Sequence, residues 1–302
     1  MARNDFSEDI RSWHSQTIDF FSGVPLMRLS RFVTFFAAVA TVTACGKDNV
    51  TDPSFPPLAG VRFINGVSDT SAIDIHAIDQ IAFSPVATAL AYRGGTEHQP
   101  TEAKARHFRA FITSTNPAIT SNPIVDTTLT FAADTRYTIL VTGAARTKAR
   151  FVLITDDPPA VVAGQIFIRS VNASSGAIDA YVVDSTTTAI AGAASAANVA
   201  PLTTSGYLSR AMGKVAMRVT PAGSVTVSAS QQGPPAPALL PGEIPAAGVT
   251  TAGTPFSVYF FGAGVAGSPT APATGTNACG GAAPLISCNS TVVWFVDRVP
   301  TP

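Results

Sequence analysis

The chain of 302 residues is poor in the side chains on which most protein chemistry depends. It has three cysteines, four histidines and two tryptophans, and 13% of its residues are charged. Cys45 stands alone, and Cys279 and Cys288 are too far apart for a CxxC pair, so neither a zinc nor a thiol redox motif is present. Lys and Arg equal Asp and Glu at nineteen each. Removing residues 1–44 takes four of each sign and leaves fifteen against fifteen. That balance excludes the basic footprint of a nucleic-acid-binding surface. No apolar run reaches the ~20 residues that a membrane-spanning helix needs. No stretch carries capped helical periodicity beyond two turns, and no Gly-x-Ser-x-Gly elbow appears.

What is present is hydrophobic substance, 46% of the residues, arranged with a period of two. Val61 and Phe63, then Ile73 and Ile75, alternate with polar or small residues on either side of a turn-rich stretch from Asn65 to Ser71. The stretch Val61–Asp79 returns as Ile168–Asp184, with the same apolar beat and the same Ala-Ile-Asp core. Further pairs follow in order. AADTRYTILVTG (132–143) aligns with TAGTPFSVYFFG (251–262), and FVLITDDP (151–158) with VVWFVDRV (292–299). Short strands separated by Gly, Pro, Asn and Asp clusters are the pattern of a sandwich or barrel.

The predicted fold is all-β: two tandem antiparallel β-sandwich domains, immunoglobulin-like in general form, over residues 58–160 and 161–302. Strands are predicted at 60–64, 72–77, 107–113, 127–131, 136–142 and 149–155, with a weaker one at 86–92. The second domain carries longer loops, a proline-rich one at 231–248 and another at 263–290 that replaces the eight-residue turn GAARTKAR. Ala193–Ala200 is the best place for a short helix.

The first repeat resembles the repeated segment of the bacterial domain of unknown function 4397, which reads Val-Arg-Phe-Val-His-Ala-Ser-Pro-Asp-Ala-Pro-Ala-Val-Asp-Val-Tyr. Val61, Arg62, Phe63, Asp69, Ala72 and Asp74 match it without a gap, while Asn65 and Ser68 replace its His and Pro. In the second repeat Arg169, Ala173, Ser174, Ala177, Asp179 and Tyr181 fall in place with a shorter loop. The resemblance implies a secreted or surface bacterial protein and implies no reaction.

Location is read from the leader. Arg28 and Arg31 precede an apolar run from Phe32 to Ala44, which ends in Val42-Thr43-Ala44-Cys45. This resembles a lipoprotein signal, with cleavage before Cys45 and lipid attached to its sulfur. Residues 1–26 carry more acid than base, so Met27 is the expected start. Residues 45–57, with three prolines, form the expected tether. Export places Cys279 and Cys288 where a disulfide persists, and with Cys45 acylated they have no competitor.

The expected function is a non-catalytic cell-envelope lipoprotein, a structural or binding module at the periplasmic side or cell surface, held to the membrane by its anchor. No cofactor, metal or nucleic acid is expected. Asp69, Asp74 and Asp79 offer a calcium reading, against which strand ends and turn amides are simpler. Two alternatives stand beside this function. A carbohydrate-binding accessory protein would use the apolar face of Tyr259, Phe261 and Trp294, whose other explanation is packing of the long loops or of the two domains. An exported hydrolase would depend on His76 or His107.

Overall fold

The computed structural model describes residues 56–68, 70, 72–79, 85–143, 146–187, 189–237, 246–263 and 289–298. The leader with Met27, the lipidation candidate Cys45 and the pair Cys279 and Cys288 lie outside the described residues, as does Asp69.

The first sandwich contains β1 (Leu58–Val67), β2 (Ala72–Ala77), β3 (Ala87–Ala91), β4 (Gln99–Glu102), β5 (Ala105–Ile112), β6 (Val125–Thr130), β7 (Arg136–Gly143) and β8 (Arg150–Asp156). The second contains β9 (Gln165–Asn172), β10 (Ile178–Asp184), β11 (Ala196–Val199), β12 (Leu208–Ala211), β13 (Val215–Pro221), β14 (Ala229–Gln232), β15 (Pro255–Phe261) and β16 (Thr291–Val296). Each is a pair of four-stranded sheets. The front sheets run β4-β1-β7-β8 and β12-β9-β15-β16, and the back sheets β3-β2-β5-β6 and β11-β10-β13-β14. The second half thus repeats the strand order of the first. Pairing is antiparallel except for β1 with β7 and β9 with β15, which are parallel, a departure from the fully antiparallel expectation.

Each sandwich closes on its own core. Val61, Phe63, Ile139 and Val141 of the first front sheet meet Ile73, Ile75, Phe108 and Ala110 of its back sheet. Ile166, Ile168, Phe256, Val258 and Phe260 meet Ile178, Val182, Met217 and Val219 in the second. The back-sheet strands β2 and β6 alternate between buried and more open positions, as a sheet with one wet face should. In β15 all seven residues are buried, so a front sheet is covered on both faces.

Helix is confined, among the described residues, to one turn at Pro117–Thr120 and a 3-10 turn at Arg146–Lys148. The helix expected within Ala193–Ala200 is instead β11. Asn198 there has φ 51° and its amide donates to Asp179 Oδ1 at 2.7 Å, fixing a bulge against β10. Ala89, with φ 48°, donates in the same way to Asp74 Oδ1 at 2.7 Å. Tertiary pairing therefore overrides the helix propensity of the alanines. It also shows Asp74 and Asp179 binding strand amides. The first part of the proline-rich 231–248 stretch, Gln231 and Gln232, closes β14.

Candidate functional site

The period of two that sends Val61 and Phe63 inward sends Arg62 and Ile64 to the opposite face of β1. The same alternation turns Thr138 and Leu140 on β7 away from the first core, and in the second front sheet Arg169 and Val171 on β9 with Ser257, Tyr259 and Phe261 on β15 away from the second. These two outer faces pack on each other. Ile64, Leu140, Ile154, Val171, Tyr259 and Phe261 form a separate buried apolar cluster, with Val152, Val293 and Phe295 against it. The second domain's extra apolar face is therefore covered by the first domain.

At one end of this seam lies a buried ionic cluster. Arg62, Arg169, Asp156 and Asp297 are each at most 4% exposed. Arg62 donates Nε to Thr138 Oγ1 at 2.6 Å, Nη1 to the Val296 carbonyl at 2.9 Å, and Nη2 to Asp297 Oδ1. Arg169 repeats the set from the other side: Nε to Ser257 Oγ at 2.6 Å, Nη1 to the Thr155 carbonyl at 2.9 Å, and Nη2 to Asp156 Oδ1. Thr138 and Ser257 in turn donate to Asp156 Oδ2 and Asp297 Oδ2, at 2.6 and 2.8 Å. Each arginine is thus steadied through Nε by its own sandwich and pairs most closely with the aspartate of the other, while Arg62 Nη2 also lies 3.6 Å from Asp156 Oδ2. The final ligands match as well: His98 Nε2 lies 2.9 Å from Asp156 Oδ2, and Tyr207 Oη donates to Asp297 Oδ2 at 2.6 Å.

Two unit charges of each sign close the cluster to neutrality, which is what burial demands. Burial alone would push the Asp156 carboxyl up. The His98 hydrogen bond and the charges of Arg62 and Arg169 outweigh it and hold the group down at about 2. Burial likewise opposes the charge on Arg62, but Asp297, Tyr259 and Asp156 together outweigh it and keep the guanidinium above its ordinary value. Burial, then the Asp297 charge, pushes the Tyr207 hydroxyl up, and burial pushes Tyr259 up to about 12. Both phenols therefore stay neutral at physiological pH.

The structure separates the three residues expected to share a binding face. Tyr259 and Phe261 are 0% and 1% exposed inside the seam. Trp294 pairs in register with Val258, points to the second core and meets Phe256 edge-on at 5.3 Å. It borders a cleft of about 500 Å³ with Gln231, Gln232, Pro234 and Pro235. His76 packs edge-on against Phe111, and His107 bonds Asp126 together with Arg109. Asp79 is taken by Arg106 Nε at 2.7 Å. Among the described residues no group of three or more His, Cys, Asp or Glu is placed to hold a metal ion.

The sequence pattern singles out none of Arg62, Arg169, Asp156 and Asp297 as a site residue. The available signal was an arginine at the same place in both repeats, inside an otherwise apolar strand.

Beside the cluster, Gly60, His98, Asp134, Arg136, Asp157 and Arg298 line a cleft of about 890 Å³. At the other end of the seam, Tyr92, Lys148, Arg150, Ser174, Ser175 and Leu202 line one of about 480 Å³.

Residues 59–186 match the family model described as domain of unknown function (DUF4397). This span is a DUF4397 segment, the family that the pattern from Val61 to Asp74 resembles, and it runs through the first sandwich into β9 and β10. No curated protein matches the chain.

Proposed function

We propose that the chain is a non-catalytic module of the bacterial cell envelope, anchored through lipidated Cys45, whose two sandwiches are presented as one rigid body. The observation that carries this reading is the reciprocal pairing of Arg62 with Asp297 and of Arg169 with Asp156. Four buried ionisable side chains are spent on holding the halves together, each hydrogen-bonded inside the protein. General acid or base work needs a group free to exchange a proton with substrate, and Arg62, Arg169, Asp156 and Asp297 are each committed to a partner across the seam. Tether, anchor and the expected Cys279–Cys288 bridge in the longer loop belong to the same picture of a displayed scaffold.

The test is expression of the full chain in a bacterium, followed by detergent phase partition. The parent should enter the detergent phase, since each buried methylene of an acyl chain contributes about 0.8 kcal/mol. Cys45→Ser should stay in the aqueous phase or remain unprocessed. Equal partition of the two would refute the anchor. Turnover of ester, peptide or glycoside substrates by the purified chain, lost in His107→Ala or His76→Ala, would refute the non-catalytic part.

A further inference from the structure

We infer that the cleft at the end of the seam away from the ionic cluster is a binding site for a small hydroxylated organic anion, a sugar acid or sugar phosphate. Its volume, about 480 Å³, lies in the range of small-ligand sites. Both sandwiches contribute walls, Gly66, Thr142 and Gly143 from the first and Ala173 to Ser175 and Gly262 from the second. Lys148 and Arg150 supply the charge. Both are exposed, and neither has an ion-pair partner among the described residues. No aspartate or glutamate lines the cleft.

That last point separates it from the larger cleft, where Asp134 and Asp157 stand among Arg136 and Arg298 and cancel their attraction for an anion. In a chain of formal net charge zero, a cleft with cations alone is a local concentration of field. The turn GAARTKAR carries three cations in eight residues, whereas its counterpart from Ala263 to Ser290 has no charged residue. Tyr92 adds a flat wall. Its ring meets Phe261 edge-on at 6.2 Å and is covered by the Arg93 guanidinium at 4.7 Å, which is itself anchored to the Gly262 carbonyl at 3.0 Å. Lys and Arg would take the oxyanion. The hydroxyls of Ser175 and Thr142 and the phenol of Tyr92 would face the ring and its hydroxyls.

This goes beyond the rigid-module reading, because a failure here leaves the clamp and the anchor untouched. The purified chain is titrated calorimetrically with glucuronate, glucose 6-phosphate, inorganic phosphate and glucose. At least one sugar anion should bind saturably, inorganic phosphate more weakly and glucose not at all, with affinity falling as salt rises. The stronger of the two sugar anions tells whether the group is a carboxylate or a phosphate. Lys148→Ala and Arg150→Ala, both at exposed positions, should each weaken binding about tenfold, the lower end for a charged hydrogen bond. Arg136→Ala, in the larger cleft, should change nothing. Silence from both sugar anions overturns the inference. So does glucose or inorganic phosphate binding as tightly as the sugar anions, or an Arg136→Ala loss equal to that of Lys148→Ala.

Discussion

The two sandwiches agree at the clamp and differ around it. At the clamp the correspondence is residue for residue: Arg62 with Arg169, Thr138 with Ser257, Asp156 with Asp297. Around it the pairs diverge. Gly60 sits where the second sandwich has Phe167, His98 where it has Tyr207, Leu140 where it has Tyr259, and Thr142 where it has Phe261. An interface between two copies related by a two-fold places the same patch on both sides, so each contact at the clamp is made twice, once from either sandwich. Where the pairs diverge, a contact is made on one side only, and a cleft opens or is filled. The seam thus behaves as an isologous dimer interface contained in a single chain.

The sharpest way to break the comparison is to remove one arginine. Arg62→Ala leaves Asp297 buried without its cation, and a broken buried pair costs about 3–5 kcal/mol. Arg169→Ala should cost less, toward the lower end of that range, because Asp156 keeps Arg62 Nη2 at 3.6 Å and His98 Nε2 at 2.9 Å. Denaturant unfolding of the two variants measures both, and equal losses would show that these two contacts add nothing to the hold on Asp156.

Acid probes the same cluster with a smaller effect. Asp156 is held down at about 2, below its unfolded value near 3.9, so its contribution is present above about pH 4 and is lost as pH falls through 2. Roughly 2 kcal/mol should disappear over that window by linkage. Melting curves between pH 5 and pH 2 test this, and stability that holds flat to pH 2 would contradict the clamp's charge state.

Much of the fold was legible because the front and back strands write their burial locally. The alternation at Ala72–Ala77 gives the observed bounds of β2, and Arg136–Thr142 stops one residue short of β7. The edge strand β4 was not legible. Its residues, Gln-Pro-Thr-Glu, are polar and include a proline, which an edge tolerates and a pattern search reads as loop. The site was legible only in part. Tyr259 and Phe261 announce a face that needs cover, and packing of the domains was one of the explanations open. The ion pairs were hidden, because Arg62 reaches across 235 residues to Asp297 and Arg169 across 13 to Asp156, each crossing between repeats. No local pattern encodes which aspartate a buried arginine will take.

Gly95 tests the rim at closer range. It bridges to Ile64 as Thr204 bridges to Val171, yet a Cβ there would lie 2.5 Å from Phe295 Cε1 and 3.2 Å from Ile64 Cγ1. Gly95→Ala therefore forces the Phe295 ring to move within the seam, at about 1–3 kcal/mol for overpacking. Thr204→Gly relieves no such contact and should not mirror it. Equal and small effects in thermal melts would mean that the ring is free to move aside.

The smallest effect is expected at Gly60, the position that leaves the larger cleft open. Its backbone is not in the left-handed region, so a side chain meets no conformational penalty there. A Cβ would lie 3.2 Å from Arg136 Cγ and 3.9 Å from His98 atoms. Arg136 is exposed and flexible, so its stem gives way by a few tenths of an ångström, while His98 stays at ordinary contact distance and keeps its bond to Asp156. Replacing glycine also lowers the entropy of the unfolded chain, which favours the variant by about 0.4–1 kcal/mol. The two effects oppose each other, and Gly60→Ala should change stability by no more than about 0.5 kcal/mol. Phe167→Ala, at the matching position, removes a buried ring and should cost about 3–5 kcal/mol. Chemical unfolding of both variants gives the contrast directly. A large loss at Gly60 would mean that the open cleft is required by the clamp, through His98, and is no mere consequence of a missing side chain.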